Sequence, residues 1–229
     1  MHIGTDLAAD RALLTRTSTA ERVSDILRTR VIEGYFAPGA RLAEDTICGA
    51  LGVSRNTLRE AFRLLTHERL LTHELNRGVF VRVLSVDDVV DIYRTRRLVE
   101  CAAVGAVTAP APDLSAVARA VGEGERAADG ADYQALGTAN MRFHQALAAL
   151  AGSRRVDELM RGLLAELRLV FHVMADPHRF HEPYLAKNRE ILTILEAGDG
   201  PAARRVLADY LDEAERQLVD AYAERADGA

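Results

Sequence analysis

Between Leu51 and Glu60 the chain reads Leu-Gly-Val-Ser-Arg-Asn-Thr-Leu-Arg-Glu, with basic and amide side chains recurring at helical spacing. On a helix turning about 100° per residue, Arg55, Arg59 and Arg63 fall at about 0°, 40° and 80° and Asn56 at about 100°, so all four share one face. Leu58, Phe62 and Leu65 fall on the adjoining face and would pack inward. A guanidinium pairs bidentately with guanine and a carboxamide with adenine, while Ser54 and Thr57 at the helix N-terminus are placed to take phosphate oxygens. Such a helix fits the major groove of DNA. A solvated face bearing three arginines is the bland alternative, and context decides against it. A Gly-containing turn at Gly52 joins this helix to the one before. The segment Asn76-Arg77-Gly78 then tips a hairpin, which completes a winged helix-turn-helix. Its tip would set Arg77 and the Gly78 backbone against phosphate or the minor groove.

Catalytic or metal chemistry is harder to build. Asn140 and His144 share a helix face at i, i+4, a spacing that a satisfied core histidine also gives. His172, His178 and His181, followed by Glu182, straddle Asp176-Pro177 without the i, i+4 pattern of a helical zinc site and read as a solvated loop. No nucleophile signature, phosphate-cradling Gly loop or HExxH run occurs. An enzyme would need His144 with Glu100 or Glu190 as an acid/base pair, and nothing else in the sequence supports that pairing.

The elements that would carry these residues can be read from periodicity. Val23, Ile26, Leu27, Val31 and Ile32 predict a helix of about 14 residues from Thr19, stopped by Gly34 and Pro38-Gly39. A second helix spans Ala43 to Leu51 and ends at Gly52. The third, capped by Ser54, spans Arg55 to Glu68. Leu71–Leu75 and Val79–Val83 read as two strands around the turn. Beyond Leu84 a capping box, Ser85 with Asp88, opens an all-helical stretch. Breaks at Pro110-Ala111-Pro112, Gly130, Gly152-Ser153, Asp176-Pro177 and Gly198–Pro201 divide it into about six helices. The predicted fold class is mainly α, with three parts: a flexible arm over 1–18, a winged helix-turn-helix with a small β-hairpin over 19–84, and an all-α bundle over 85–229.

Composition agrees with two globular units. Of 229 residues, 48% are apolar and 28% charged, which excludes disorder. The net charge of −5 is uneven: residues 1–84 carry 12 basic and 10 acidic side chains, residues 85–229 carry 17 and 24. The acidic half is unsuited to DNA. Cys48 and Cys101 stand alone in apolar patterns, so a disulfide framework is excluded and a reducing, cytoplasmic location is expected. No targeting segment or membrane span is predicted.

Residues 19–84 resemble the DNA-binding domain of GntR-type bacterial transcription regulators. The resemblance rests on Pro38-Gly39-Ala40-Arg41-Leu42, on Gly52 through Ala61, and on Asn76-Arg77-Gly78-Val79-Phe80-Val81. It implies operator contacts from Ser54, Arg55, Asn56, Thr57, Arg59, Arg77 and Gly78, to which the ridge adds Arg63. Two positions depart from the family. Asp45 stands where an Arg that reaches DNA is common, which implies a shifted operator preference, and Arg69 stands where a Gly usually precedes the wing.

Residues 86–225 resemble the FCD effector domain of the FadR branch. The carriers are Arg96 with Val99-Glu100, Asn140 through His144, Asn188 through Leu192, and Tyr210-Leu211. Many members of that branch hold a divalent metal with one Asp and three His, and the aligned positions here are Asn140, His144, Asn188 and Tyr210. Amide oxygens and a phenol are poor donors for zinc-like ions, so no metal and no cofactor are expected. The same four residues with Arg96 as cation form the expected effector site, suited to a carboxylate. Together these features predict a cytoplasmic, homodimeric regulator that reads a double-stranded, palindromic operator and, as the resemblance implies, represses until a small metabolite releases it. The competing readings are a helical metal-dependent enzyme with an accessory DNA-binding module, and a constitutive DNA-binding protein with a vestigial pocket.

Overall fold

The computed structural model describes residues 18–171 and 177–227, with side chains over 18–171 and 183–222. His172 and the side chains of His178, His181 and Glu182 lie outside the described residues, as does the arm apart from Ser18. Contacts divide the chain into two compact units that meet in sequence between Val83 and Leu84.

The first unit opens with α1, Thr19–Ile32. Ser18, which the sequence reading places in the arm, is its N-cap: the Ser18 hydroxyl accepts from the Glu21 N–H and the Glu21 carboxylate accepts from the Ser18 N–H. Helix α2 covers Glu44–Leu51 and stops at Gly52, whose φ of 65° is the left-handed conformation a side chain would resist. Ser54 then caps α3, Arg55–His67, accepting from the Thr57 N–H at 3.1 Å. Leu58, Ala61, Phe62 and Leu65 are the buried stripe of α3, and Val23, Leu27 and Val31 meet them from α1. Arg28 ties α1 to the end of α3 through Glu68, with Nε and Nη2 donating at 2.5 and 2.6 Å.

Strands β1, Leu71–Glu74, and β2, Gly78–Val81, pair antiparallel with Leu71 opposite Val81 and Glu74 opposite Gly78. The second edge of β2 is also occupied. The Gly39 N–H donates to the Val81 carbonyl, the Val81 N–H to the Ala40 carbonyl and the Leu42 N–H to the Val79 carbonyl. Residues 39–42, read from sequence as part of a helix stop at Pro38-Gly39 and as a family motif, thus brace the wing. Arg69, between α3 and β1, has φ 58°, and Asn76, in the hairpin turn, has φ 62°. A left-handed Arg69 explains why a glycine suits that position.

The second unit contains six helices among the described residues: α4 (Val86–Gly105), α5 (Ser115–Asp129), α6 (Tyr133–Ala149), α7 (Arg154–Phe171), α8 (Pro177–Glu196) and α9 (Gly200–Asp227). The Ser85–Asp88 capping box is present. Helix α6 is the hub, packed against α4, α5, α7 and α8, and α9 lies along α4 and α8. The start of α9 approaches the end of α4 so closely that a Cβ on Gly200 would stand 2.4 Å from the Val107 carbonyl oxygen and 2.8 Å from that of Val104. No described helix is long and apolar enough to cross a membrane.

Candidate nucleic-acid interface and buried polar cluster

The ridge foreseen on α3 is solvent-facing: Arg55, Asn56, Arg59 and Arg63 are exposed, while Leu58 and Phe62 are buried. Ser54 holds the helix start, its Oγ 2.9 Å from Thr57 Oγ1. At the wing, Arg77 lies over the Phe80 ring at 5.5 Å, and Gly78 has φ 110°. A Cβ there would come within 3.2 Å of Arg41 Nε, so glycine lets Arg41 pass beneath the wing turn. Arg41 therefore stands against Gly78, a placement missed in sequence because it depends on the strand-like pairing of residues 39–42. Between α3 and the hairpin lies an open hollow of about 400 Å³, with Glu44, Arg59, Arg63, His73 and Val79 in its wall.

Each ridge arginine has a carboxylate partner. Arg55 Nη2 is 2.7 Å from Asp45 Oδ1, Arg59 Nε donates to both Glu44 oxygens at 3.1 and 3.2 Å, Arg63 Nη1 is 2.8 Å from Glu60, and Arg77 pairs with Glu74. The hydrogen bond that Arg59 donates to Glu44 raises the pKa of the guanidinium above its ordinary value. These acidic partners carry no signature of their own in the sequence. Glu60 and Glu74 sit three residues from their arginines, but Glu44 and Asp45 come from α2 and meet the ridge only through the fold.

Inside the bundle, Arg96 and Glu100 from α4, Asn140 and His144 from α6, Asn188 from α8 and Tyr210 from α9 form one hydrogen-bonded chain. Arg96 Nε donates to Glu100 Oε1 at 2.8 Å, and Glu100 Oε2 is 2.6 Å from His144 Nδ1. His144 Nε2 is 3.0 Å from the Tyr210 hydroxyl, which donates to Asn140 Oδ1 at 3.0 Å, and Asn188 Nδ2 donates to the same oxygen at 2.9 Å. All six residues are buried. The five predicted from sequence are thus brought together. Glu100, foreseen only as half of a catalytic pair, is the link between Arg96 and His144.

Burial alone would raise the Glu100 carboxyl, yet the Arg96 and His144 charges outweigh it and hold it below its usual range. Burial pushes His144 down, against the pull of Glu100. Burial lifts Tyr210 well above the phenol range. The Arg96 cation expected at the effector site has a carboxylate beside it. A guanidinium that is 1% exposed requires a counter-charge, and Glu100 supplies it. What remains open is Arg96 Nη2, a buried donor with no hydrogen-bond partner, and Asn188 Oδ1, a buried acceptor in the same condition. Among the described residues no three of His, Cys, Asp and Glu converge as a metal would require.

The chain can now be set beside known proteins. Residues 19–81 match the model of bacterial regulatory proteins of the gntR family, and residues 91–213 match the FCD domain. This chain belongs to the GntR family. A solved structure of a GntR transcriptional regulator from Rhodococcus sp. RHA1 is 52% identical, with a TM-score of 0.87 over 90% of this chain and 100% of that one. An HTH-type transcriptional regulator of Streptomyces ambofaciens is 31% identical across 81% of this chain and 78% of its own. A D-xylose utilization operon transcriptional repressor of Paenarthrobacter nicotinovorans is 28% identical across 86% and 88%. The protein is a GntR-type transcriptional regulator that joins a winged helix-turn-helix to an FCD effector domain.

Proposed function

We propose that this GntR regulator is a cytoplasmic homodimeric repressor that reads a palindromic operator through α3 and the wing and leaves it when a small carboxylate enters the FCD bundle. It acts by binding and carries out no catalysis. The reading rests above all on the capped ridge of α3, where Arg55, Asn56, Arg59 and Arg63 project from one exposed face beside a wing tipped by Arg77 and Gly78. Ser54 and Thr57 would take phosphate oxygens at the helix start, and the arginines and Asn56 would take base edges. One unit of net charge +2 neutralises few phosphates, which favours two copies on symmetric half-sites.

In the bundle, Arg96 Nη2 and Asn188 Oδ1 are the groups an effector would satisfy, with His144, Asn140 and Tyr210 alongside. A carboxylate would take the free edge of the guanidinium whose other edge Glu100 holds. Coupling to DNA requires that the effector bind one dimer state better than the other. The family's divalent metal does not fit this donor set: His144 already spends one nitrogen on Glu100 and the other on Tyr210, and Asn140, Asn188 and Tyr210 offer only weak neutral donors. Effector binding is therefore metal-free. About one zinc, nickel or manganese per chain in protein never exposed to chelator would contradict this.

Enrichment of a random duplex library on the full-length chain tests the central reading. A two-fold-symmetric consensus with half-sites about one helical turn apart supports it. Enrichment of no sequence by folded protein would refute it.

A further inference from the structure

The four arginines of the proposed interface are matched by four carboxylates, so the reading face carries almost no net charge. Two of those carboxylates differ from the others in origin. Glu60 and Glu74 lie three residues from Arg63 and Arg77 on the same element, a pairing that local spacing alone gives. Glu44 and Asp45 belong to the first turn of α2 and are carried to Arg59 and Arg55 by the fold. Asp45 is 78% exposed and Arg55 65% exposed, so neither is buried by the contact and both can meet a ligand.

We propose that Asp45, aided by Glu44, is a specificity determinant that holds the reading arginines back from bare phosphate and releases them to a base pair offering a donor beside an acceptor. The proposal rests on the reading of α3 as the DNA-contacting helix. A phosphate approaching Arg55 also approaches the Asp45 carboxylate 2.7 Å away, so the attraction that drives sequence-independent binding is cancelled locally. A G·C pair presents the guanine O6 and N7 acceptors to arginine and the cytosine N4 donor to a carboxylate in the same groove. It satisfies both members of the pair at once, which phosphate cannot. Exposed ion pairs are weak, so exchanging Asp45 for a base edge costs little. Discrimination thus comes from repulsion of the wrong ligand as much as from attraction to the right one.

The test uses the full-length chain, a random-sequence 30-base-pair duplex and the enriched duplex, with affinities measured by fluorescence anisotropy across a KCl series. Asp45→Asn should tighten binding to the random duplex by on the order of tenfold per subunit near 0.1 M salt, because a freed arginine adds about one neutralised phosphate per subunit. The slope of log K against log salt should steepen by about 0.9 per subunit. Asp45→Glu should restore the wild-type slope, and Glu44→Gln should act in the same direction as Asp45→Asn. Re-enrichment with Asp45→Asn should lose a G·C preference in each half-site. An unchanged slope and an unchanged random-duplex affinity for Asp45→Asn, while Arg55→Ala still weakens the enriched duplex, overturn this proposal and leave the α3 reading standing. If Arg55→Ala also leaves the enriched duplex unaffected, both fall together.

Discussion

Arg55 and Arg96 are each paired with a carboxylate at under 3 Å, yet the two pairs do opposite work. Arg55 meets Asp45 with both side chains in solvent, at 65% and 78% exposure, whereas Arg96 and Glu100 are at 2% and 0%. In water the pair competes with hydration and salt, so its partner can change; in the bundle each charge depends on the other. One chemistry thus provides an exchangeable reading face in the first unit and a fixed polar chain in the second. Burial, more than residue type, separates a contact that recognises from a contact that holds.

The comparison breaks most visibly at Glu100. Glu100→Ala leaves Arg96 buried without its counter-charge and should cost about 3–5 kcal/mol of stability in urea denaturation of the full-length chain. A cost below about 1 kcal/mol would place the buried pair in the same class as surface pairs and end the distinction.

Acid should expose the same difference. His144 is held below its unfolded value of 6.5 and Glu100 below 4.5, so the unfolded chain binds protons that the native bundle refuses. Their contribution is full above about pH 6.5 and is lost as pH falls, first through the histidine range and then through the carboxylate range. The melting temperature should hold steady from pH 8 to pH 7 and decline below pH 6.5, and His144→Gln should flatten the upper part of that decline. A melting temperature that rises between pH 6.5 and pH 5.5 would contradict the assigned direction.

A smaller effect is expected at Arg69, whose φ of 58° places a side chain in the left-handed region. Arg69→Gly should stabilise the first unit by about 1 kcal/mol by removing that strain. Smallest of all, Asp45→Asn should leave the melting curve at the wild-type position, because the partner it loses is in solvent.

What the sequence disclosed and what it withheld divide along physical lines. Helix α1 was legible over its 14 residues, and α3 from its Ser54 cap, because apolar spacing and capping are local properties. All five bundle breaks fall where Gly or Pro punctuates the chain. The strand-like pairing of residues 39–42 with β2 was not legible, since Gly39 and Leu42 bond to residues some 40 positions away and carry no β pattern. Asp45 was visible only as a departure from the family, and its contact with Arg55 required the turn at Gly52 to be folded. Glu100 was overlooked as the partner of Arg96. Their i, i+4 spacing suggests a surface pair unless α4 is known to be buried along that stripe.

The central claim is that the α3 ridge reads DNA and is not needed to hold the fold. Anisotropy titration of the enriched duplex at fixed salt, with wild type, Arg55→Ala and Arg59→Ala in parallel and each melting curve recorded, tests it directly. The account predicts a loss of affinity of about ten- to a hundredfold per half-site for each variant, from one lost bidentate base contact, with melting curves that overlay the wild type. Undiminished affinity in both variants, with the fold intact, would contradict it.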